Sequence, residues 1–302
     1  MKKISICIPA YKRVDVLKRS LDSIFEQDFT DFEVIVTDDS PDDSVKNLVQ
    51  SYPEGAISYF KNQKTLGSPE NWNECLRKAQ GEYIKILHHD DWFASSQSLR
   101  LFAKMLDENP NADIAFSGSC DIYPNHKKIH ITDKQTRDKI KQEPEFIFHE
   151  NCIGAPDVCI FKNNKDYFFD SNLIWLVDID FFIRVLKQNS ALVYTEEILV
   201  NIGISEQQIS KQCLADSMLQ VKEAIYLYRN LNLKNKGFSY RKTLLRLFGR
   251  AKLFTTSDLK KMFPDEKMEL SASDTLWTIY FFFKKQIRTL LLNIYPLKKQ
   301  KS

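Results

Sequence analysis

The chain has 302 residues, 43% hydrophobic and 27% charged, which excludes a disordered or fibrous protein and suits one large globular domain with an appendage. Its net charge of +3 is uneven: residues 239–302 hold fourteen Lys and Arg against five Asp and Glu, the kind of basic tail that seeks nucleic acid or anionic lipid. Six scattered cysteines without a C-x-x-C pair argue against a disulfide framework or a zinc site. The eight glycines lack both the dinucleotide fingerprint and the P-loop spacing.

In chain order, Ile4 to Pro9 reads as a first strand, too short in apolar residues to be a signal peptide. Val14, Leu17, Leu21, Ile24 and Phe25 recur at helical spacing. A second strand over Phe32 to Thr37 runs into Asp38 and Asp39, and a helix opened by Ser40-Pro41-Asp42-Asp43 continues to about Gln50. A third strand covers about Ile57 to Lys61, and Ser68 and Pro69 are expected as N-cap and first residue of the next helix. Tyr83 to Leu87 reads as a buried parallel strand, ending abruptly in His88, His89, Asp90 and Asp91. A helix from Ser98 to Glu108 and a strand from Ala112 to Ser117 follow. This alternation predicts a parallel α/β sheet with right-handed crossovers, which gathers the polar strand ends on one edge, where open α/β sheets bind ligands.

Two adjacent carboxylates at such an edge would repel each other unless a cation sat between them. The alternative for the stretch is an acidic helix N-cap. For His88 and His89 a plain polar strand end is preferred to metal ligation. Beyond Cys120, a hairpin is expected to turn at Pro124-Asn125, and Asp133 to Glu145 reads as a polar, mobile segment. A turn at Gly154 to Asp157 leads into a strand, and Trp175 to Leu186 enters an apolar helix. Asp178 and Asp180, two apart, should point differently on it. Leu192 to Ile202 reads as two short strands around Thr195-Glu196-Glu197, and the chain is helical from Ala215 onward.

Four segments in this order resemble a family 2 glycosyltransferase of the GT-A fold, over roughly residues 3–212. They are Ile6 to Arg13, Val34 to Asp43, His89-Asp90-Asp91 and Leu176 to Phe181. The resemblance implies a GT-A-like three-layer sandwich with a mostly parallel central sheet over residues 1–212, plus a helical C-terminal extension over 213–302. It implies an inverting transferase that moves a sugar from a nucleotide-diphosphate sugar to an acceptor hydroxyl of a glycan or lipid-linked glycan, as in surface-polysaccharide synthesis. Pro9, Ala10, Tyr11, Arg13, Asp39, Asn71 and Asp90 would contact the nucleotide-sugar. Asp91 with Asp90 would hold a divalent metal, Mn2+ or Mg2+. Asp178 would be the base, and Trp175 and Asp180 would lie on the acceptor side. Two departures stand out. The first acidic slot of the D-x-D motif is His89, and the usual Glu-Asp of the base motif is Val177-Asp178. Ser205 also stands in a loop where many members carry a histidine.

The apolar, aromatic and basic stretch from Leu276 to Pro296, with Arg241 to Phe254, suits a helix lying on an anionic membrane surface. No uninterrupted run of about 18 apolar residues exists, so no transmembrane helix is expected. The expected location is cytoplasmic, peripheral on the inner face of the membrane. Nucleic acid is not an expected partner, and an oligomer is left open. The alternatives are a sugar-nucleotide nucleotidyltransferase, which would want a Gly-rich loop after the first strand, and a non-catalytic glycan-binding protein, which would not need three acidic strand ends.

Overall fold

The structure is a computed structural model that describes residues 2–294, with side chains to residue 287. The chain divides into two compact units at Gln208/Ile209. The basic residues beyond 287 lie outside the described side chains.

The first unit runs β1 (Ile4–Ala10), α1 (Val14–Phe25), β2 (Phe32–Asp38), α2 (Ser44–Val49), β3 (Ser58–Lys61), α3 (Glu70–Lys78), β4 (Tyr83–Ile86), β5 (Trp92–Phe93) and α4 (Ser98–Asp107). It continues with β6 (Ile114–Ile122), β7 (Lys127–His130), α5 (Lys134–Gln142), β8 (Cys159–Lys162), α6 (Val177–Gln188) and β9 (Leu192–Gly203). All nine strands form one sheet in the order β3-β2-β1-β4-β8-β6-β9-β5, with β7 on β6. The residues of β1 are buried throughout, because helices cover both faces of this part of the sheet. Ile4, Ile6 and Ile8 share a core with Leu17, Leu21 and Ile24 of α1 and with Leu99, Phe102 and Leu106 of α4.

Register decides where the site lies. The strands β3, β2, β1 and β4 are mutually parallel, with Ala10 level with Asp38 and Cys7 level with Ile86. The turns after β1, β2 and β4 therefore open on one edge. Next to β4 the order departs from simple crossovers: β8 inserts between β4 and β6, antiparallel to both. An antiparallel strand begins where its parallel neighbour ends. The 3-10 turn Pro156–Val158 that precedes β8 is thus delivered to the carboxyl end of β4. The long β9, parallel to β6, ends at Gly203 on the same edge.

Several local expectations are corrected. Helix α3 begins at Glu70, one residue later than expected, with Pro69 itself at the N-cap and no side-chain cap. The 133–145 segment, expected without regular structure, holds helix α5, capped by Asp133, which accepts the main-chain N–H of Thr136. One continuous β9 replaces the two short strands, the Thr195–Glu197 interruption surviving as a register shift against Ser117 and Gly118.

The second unit is helical: α7 (Ile209–Ala215), α8 (Ser217–Asn230), α9 (Phe238–Arg250), α10 (Thr256–Met262) and α11 (Ala272–Ile294). Gly249 lets α9 and α11 meet closely, since a Cβ there would collide with the carbonyl oxygen of Thr278. No helix among the described residues is long and apolar enough to cross a membrane.

Candidate active site

The β1 turn is built on two consecutive left-handed residues, Lys12 at φ 55° and Arg13 at φ 44°. That conformation is costly for side chains bearing a Cβ, and clusters at functional sites. It is held by the Lys12 N–H donating to Ser40 Oγ at 2.7 Å. Tyr11 is left 44% exposed, and the Arg13 guanidinium is aimed at Asp90 Oδ2 (4.0 Å) and Ser205 Oγ (3.3 Å).

At the end of β2, Asp39 is buried, and its carboxylate accepts from Asn62 Nδ2 (2.6 Å), Leu66 N (3.1 Å) and Gly67 N (2.8 Å). Asn71 donates to the carbonyls of Ala10 and Thr37 and accepts from Asn62. These two side chains, expected at the nucleotide, thus tie the ends of β1 and β2 to the 62–67 loop. Pro9 and Ala10 lie in β1, opposite Thr37 and Asp38.

The motif after β4 separates into an open and a closed half. Asp90 is partly exposed beside Arg13. Asp91 is 3% exposed and accepts the Gly203 N–H on Oδ1 at 2.8 Å. Gly203 is required there, because a Cβ would collide with the carbonyl oxygen of Asp90. Beside Asp91 lies Asp157, which the sequence reading passed over. Its carboxylate accepts the His88 N–H at 2.6 Å and meets His88 Nδ1 at 2.5 Å. His88, Asp91 and Asp157 bring one potential ligand atom each to within 4.8 Å of one another. His88 stacks edge-on against Trp72, and its buried Nε2 has no hydrogen-bond partner among the described residues. His89 stays outside the cluster.

The electrostatics match this crowding. Burial, with Asp157 and Asp90 nearby, pushes the Asp91 carboxyl well above its ordinary range. Burial also works against ionising Asp157, but His88 and Lys85 hold it at about 2. Burial disfavours a charged His88 ring, yet Asp157 overrides this and raises its pKa. Asp91 and Asp157, with the accessible carboxylate of Asp90 beside them, supply oxygen atoms of the kind that fit a hard divalent cation.

Asp178, near enough to His88 for the charge of its ring to act on it, is the second residue of α6, whose N-cap is Leu176. Its Oδ2 accepts from Asn151 Nδ2 at 2.6 Å, and its Oδ1 from the Ile179 N–H at 2.8 Å. Burial lifts it to about 6 against these donors. Asp180 is turned to Arg184, at 2.7 Å, which also donates to the carbonyl of Phe168. Trp175 is half-buried just ahead of α6.

This sheet and its acidic edge define the class, a GT-A-like α/β fold, and comparison with known proteins fixes the family. Residues 5–166 match the family described as Glycosyl transferase family 2, and the chain belongs to it. A GalNAc(5)-diNAcBac-PP-undecaprenol beta-1,3-glucosyltransferase of Campylobacter jejuni is 36% identical over 34% of this chain and 35% of its own length. The putative teichuronic acid biosynthesis glycosyltransferase TuaG of Bacillus subtilis is 21% identical over 76% of this chain and 88% of its own length. A relative from Mycobacterium tuberculosis is matched over 66% of its length. Among solved structures, S. aureus TarS 1-349 in complex with UDP-GlcNAc superposes with a TM-score of 0.60 at 15% identity, covering 99% of this chain and 76% of that one. The mannosyltransferase PcManGT of Pyrobaculum calidifontis, in complex with GDP-Man and Mn2+, gives 0.57 at 15% identity, covering 98% and 88%. Both likenesses concern the fold.

Proposed function

We propose that this glycosyltransferase inverts the anomeric carbon, uses a divalent cation, and builds a surface polysaccharide on a glycan or lipid-linked acceptor. The observation that carries the reading is Asp178, a carboxyl lifted to about 6, oriented by Asn151 and close enough to His88 at the β4 edge for their charges to interact. A general base is most effective with a pKa near the working pH. Asp178 would take the acceptor hydroxyl proton as that oxygen attacks. Asp180 is engaged by Arg184, which leaves Asp178 as the base of the two, and a single base suits a one-step displacement with inversion.

Asp91 and Asp90, backed by His88 and Asp157, are the residues that would hold the cation. When bound, it would neutralise charge on the leaving diphosphate. Tyr11 and Arg13 would flank the nucleotide, with Asp39 and Asn71 shaping its floor, and Trp175 would face the acceptor. The donor class and metal parallel the UDP-GlcNAc and the GDP-Man with Mn2+ in the complexes of the two structural neighbours.

The second unit would bring the enzyme to an anionic lipid surface. Leu276, Tyr280, Phe283 and Ile287 are exposed at intervals of four, three and four, one stripe of α11, with Lys284 and Lys285 exposed beside it. The acids of this unit are largely used internally. Asp274 pairs with Arg241, Glu266 with Arg229, and Asp258 closes the capping box of α10.

The test is release of nucleoside diphosphate from a panel of nucleotide-sugars, with Mn2+ or EDTA, with and without lipid-linked acceptor, followed by NMR of the new linkage. Metal-dependent release with inverted configuration is expected. Retained configuration, or equal rates in EDTA, would overturn the respective part.

A further inference from the structure

Lys85 is the one charged residue of β4, a strand whose four residues are all buried, and the lysine itself is 0% exposed. Parallel strands covered on both faces are ordinarily apolar. A Met or Leu would pack equally well against Phe102 and Phe93, whose ring centroids lie 4.7 and 5.8 Å from Nζ. A buried ammonium is strongly disfavoured unless opposite charge and acceptors are supplied. Here they are. The carbonyl oxygen of Ile86 accepts from Nζ at 2.8 Å, and the carbonyl oxygen of Asp157 accepts a second hydrogen bond. The remaining donor meets the Phe102 ring. The carboxylates that act on this ammonium belong to Asp157 and Asp91, two members of the cluster at the sheet edge.

We propose that Lys85 is a positioning residue, the resident counter-cation of the His88/Asp91/Asp157 cluster. Bound to the main chain of Asp157, it fixes the 156–158 turn from the sheet while the Asp157 carboxylate grips His88. Its charge offsets the buried acids, so the edge stays assembled without a divalent cation and the donor meets a preformed site. The inference refines the metal part of the reading above, but rests on the cluster itself and not on sugar transfer, so its test needs neither donor nor acceptor.

The experiment is thermal unfolding of the full chain, wild type and Lys85→Met, in EDTA and in Mn2+ alone. In EDTA the variant should melt on the order of 10 °C below wild type, since a buried acid loses its partner. Mn2+ should restore most of that loss, and raise the variant more than the wild type. An equal deficit in EDTA and in Mn2+ would mean a packing role only and would overturn the proposal. The double variant Lys85→Met/Asp157→Asn removes one charge of each sign and should melt above Lys85→Met in EDTA. If the single variant does not fold, recovery of folding in the double variant supports the proposal. A double variant that melts lower still, or also fails to fold, refutes it.

Discussion

Asn151 donates its side-chain amide to Oδ2 of Asp178 at 2.6 Å, while its own Oδ1 accepts the N–H groups of Ile153 and Gly154. The amide is therefore locked in one orientation, and it orients the carboxyl proposed as base. Asp178→Asn should lower the transfer rate by about 10²–10⁴-fold with little change in donor affinity. A rate near wild type in a diphosphate-release assay would remove Asp178 from the base role.

The wild-type rate should rise with pH through an acid limb centred near 6, because Asp178 must be ionised to accept a proton. Removing the Asn151 donor disfavours the ionised form, so Asn151→Ala should move that limb to higher pH. A limb that stays in place in the variant would dissociate Asn151 from the titration.

The same raised pKa implies a stability gradient of defined sign. The folded state prefers Asp178 protonated, so its contribution is fully present below the unfolded value of 3.8 and is lost as pH rises through about 6. Asp178→Asn should accordingly be more stable than wild type at pH 7.5 by about 1–3 kcal/mol, and the gap should close near pH 4. Urea melts at the two pH values measure it.

Asp39 and Tyr11 should part company. Asp39→Ala leaves the half-buried Leu66 and Gly67 N–H groups without their acceptor and should cost about 1–2 kcal/mol in thermal or urea unfolding. Tyr11→Ala, at an exposed position, should leave the melting temperature unchanged and raise the donor KM. The reverse pattern would make Asp39 the direct contact and Tyr11 a structural residue.

Phe283→Ser with Ile287→Ser should abolish co-flotation of the enzyme with vesicles rich in anionic lipid, while soluble-acceptor activity persists. Unchanged flotation would assign the α11 stripe to something other than lipid.

The parallel half of the sheet was legible because buried strands and amphipathic helices each leave a local period. Val14–Phe25 and Phe32–Asp38 fall where the pattern puts them, the latter one residue longer than expected. Asp178 and Asp180 stand out as acids at the entry of an apolar helix, but only the resemblance to family 2 glycosyltransferases chooses Asp178 between them. Asp157 does not stand out. Assuming parallel crossovers throughout, the turn before β8 would belong to the opposite edge, and only the antiparallel pairing of β8 with β4 brings it to His88. Asn151 lies in irregular chain with no period to mark it. The saturation of Asp39 by a loop some 25 residues downstream is equally invisible to spacing.

The placement of β8 has a mechanical meaning as well. The nine-stranded sheet changes from parallel to mixed pairing between β4 and β8, a seam joined by the short ladder of Tyr83 and Ile84 with Lys162 and Phe161. Beyond that ladder, the seam is stitched at the cleft by His88 to Asp157 and by Lys85 to the Asp157 carbonyl. The polar residues lining the cleft are thus also rivets between two halves of the scaffold. A substitution chosen to retune the chemistry there would loosen the joint, whereas Trp175, proposed to face the acceptor, precedes α6 outside the β4–β8 ladder and is the place to begin redesign.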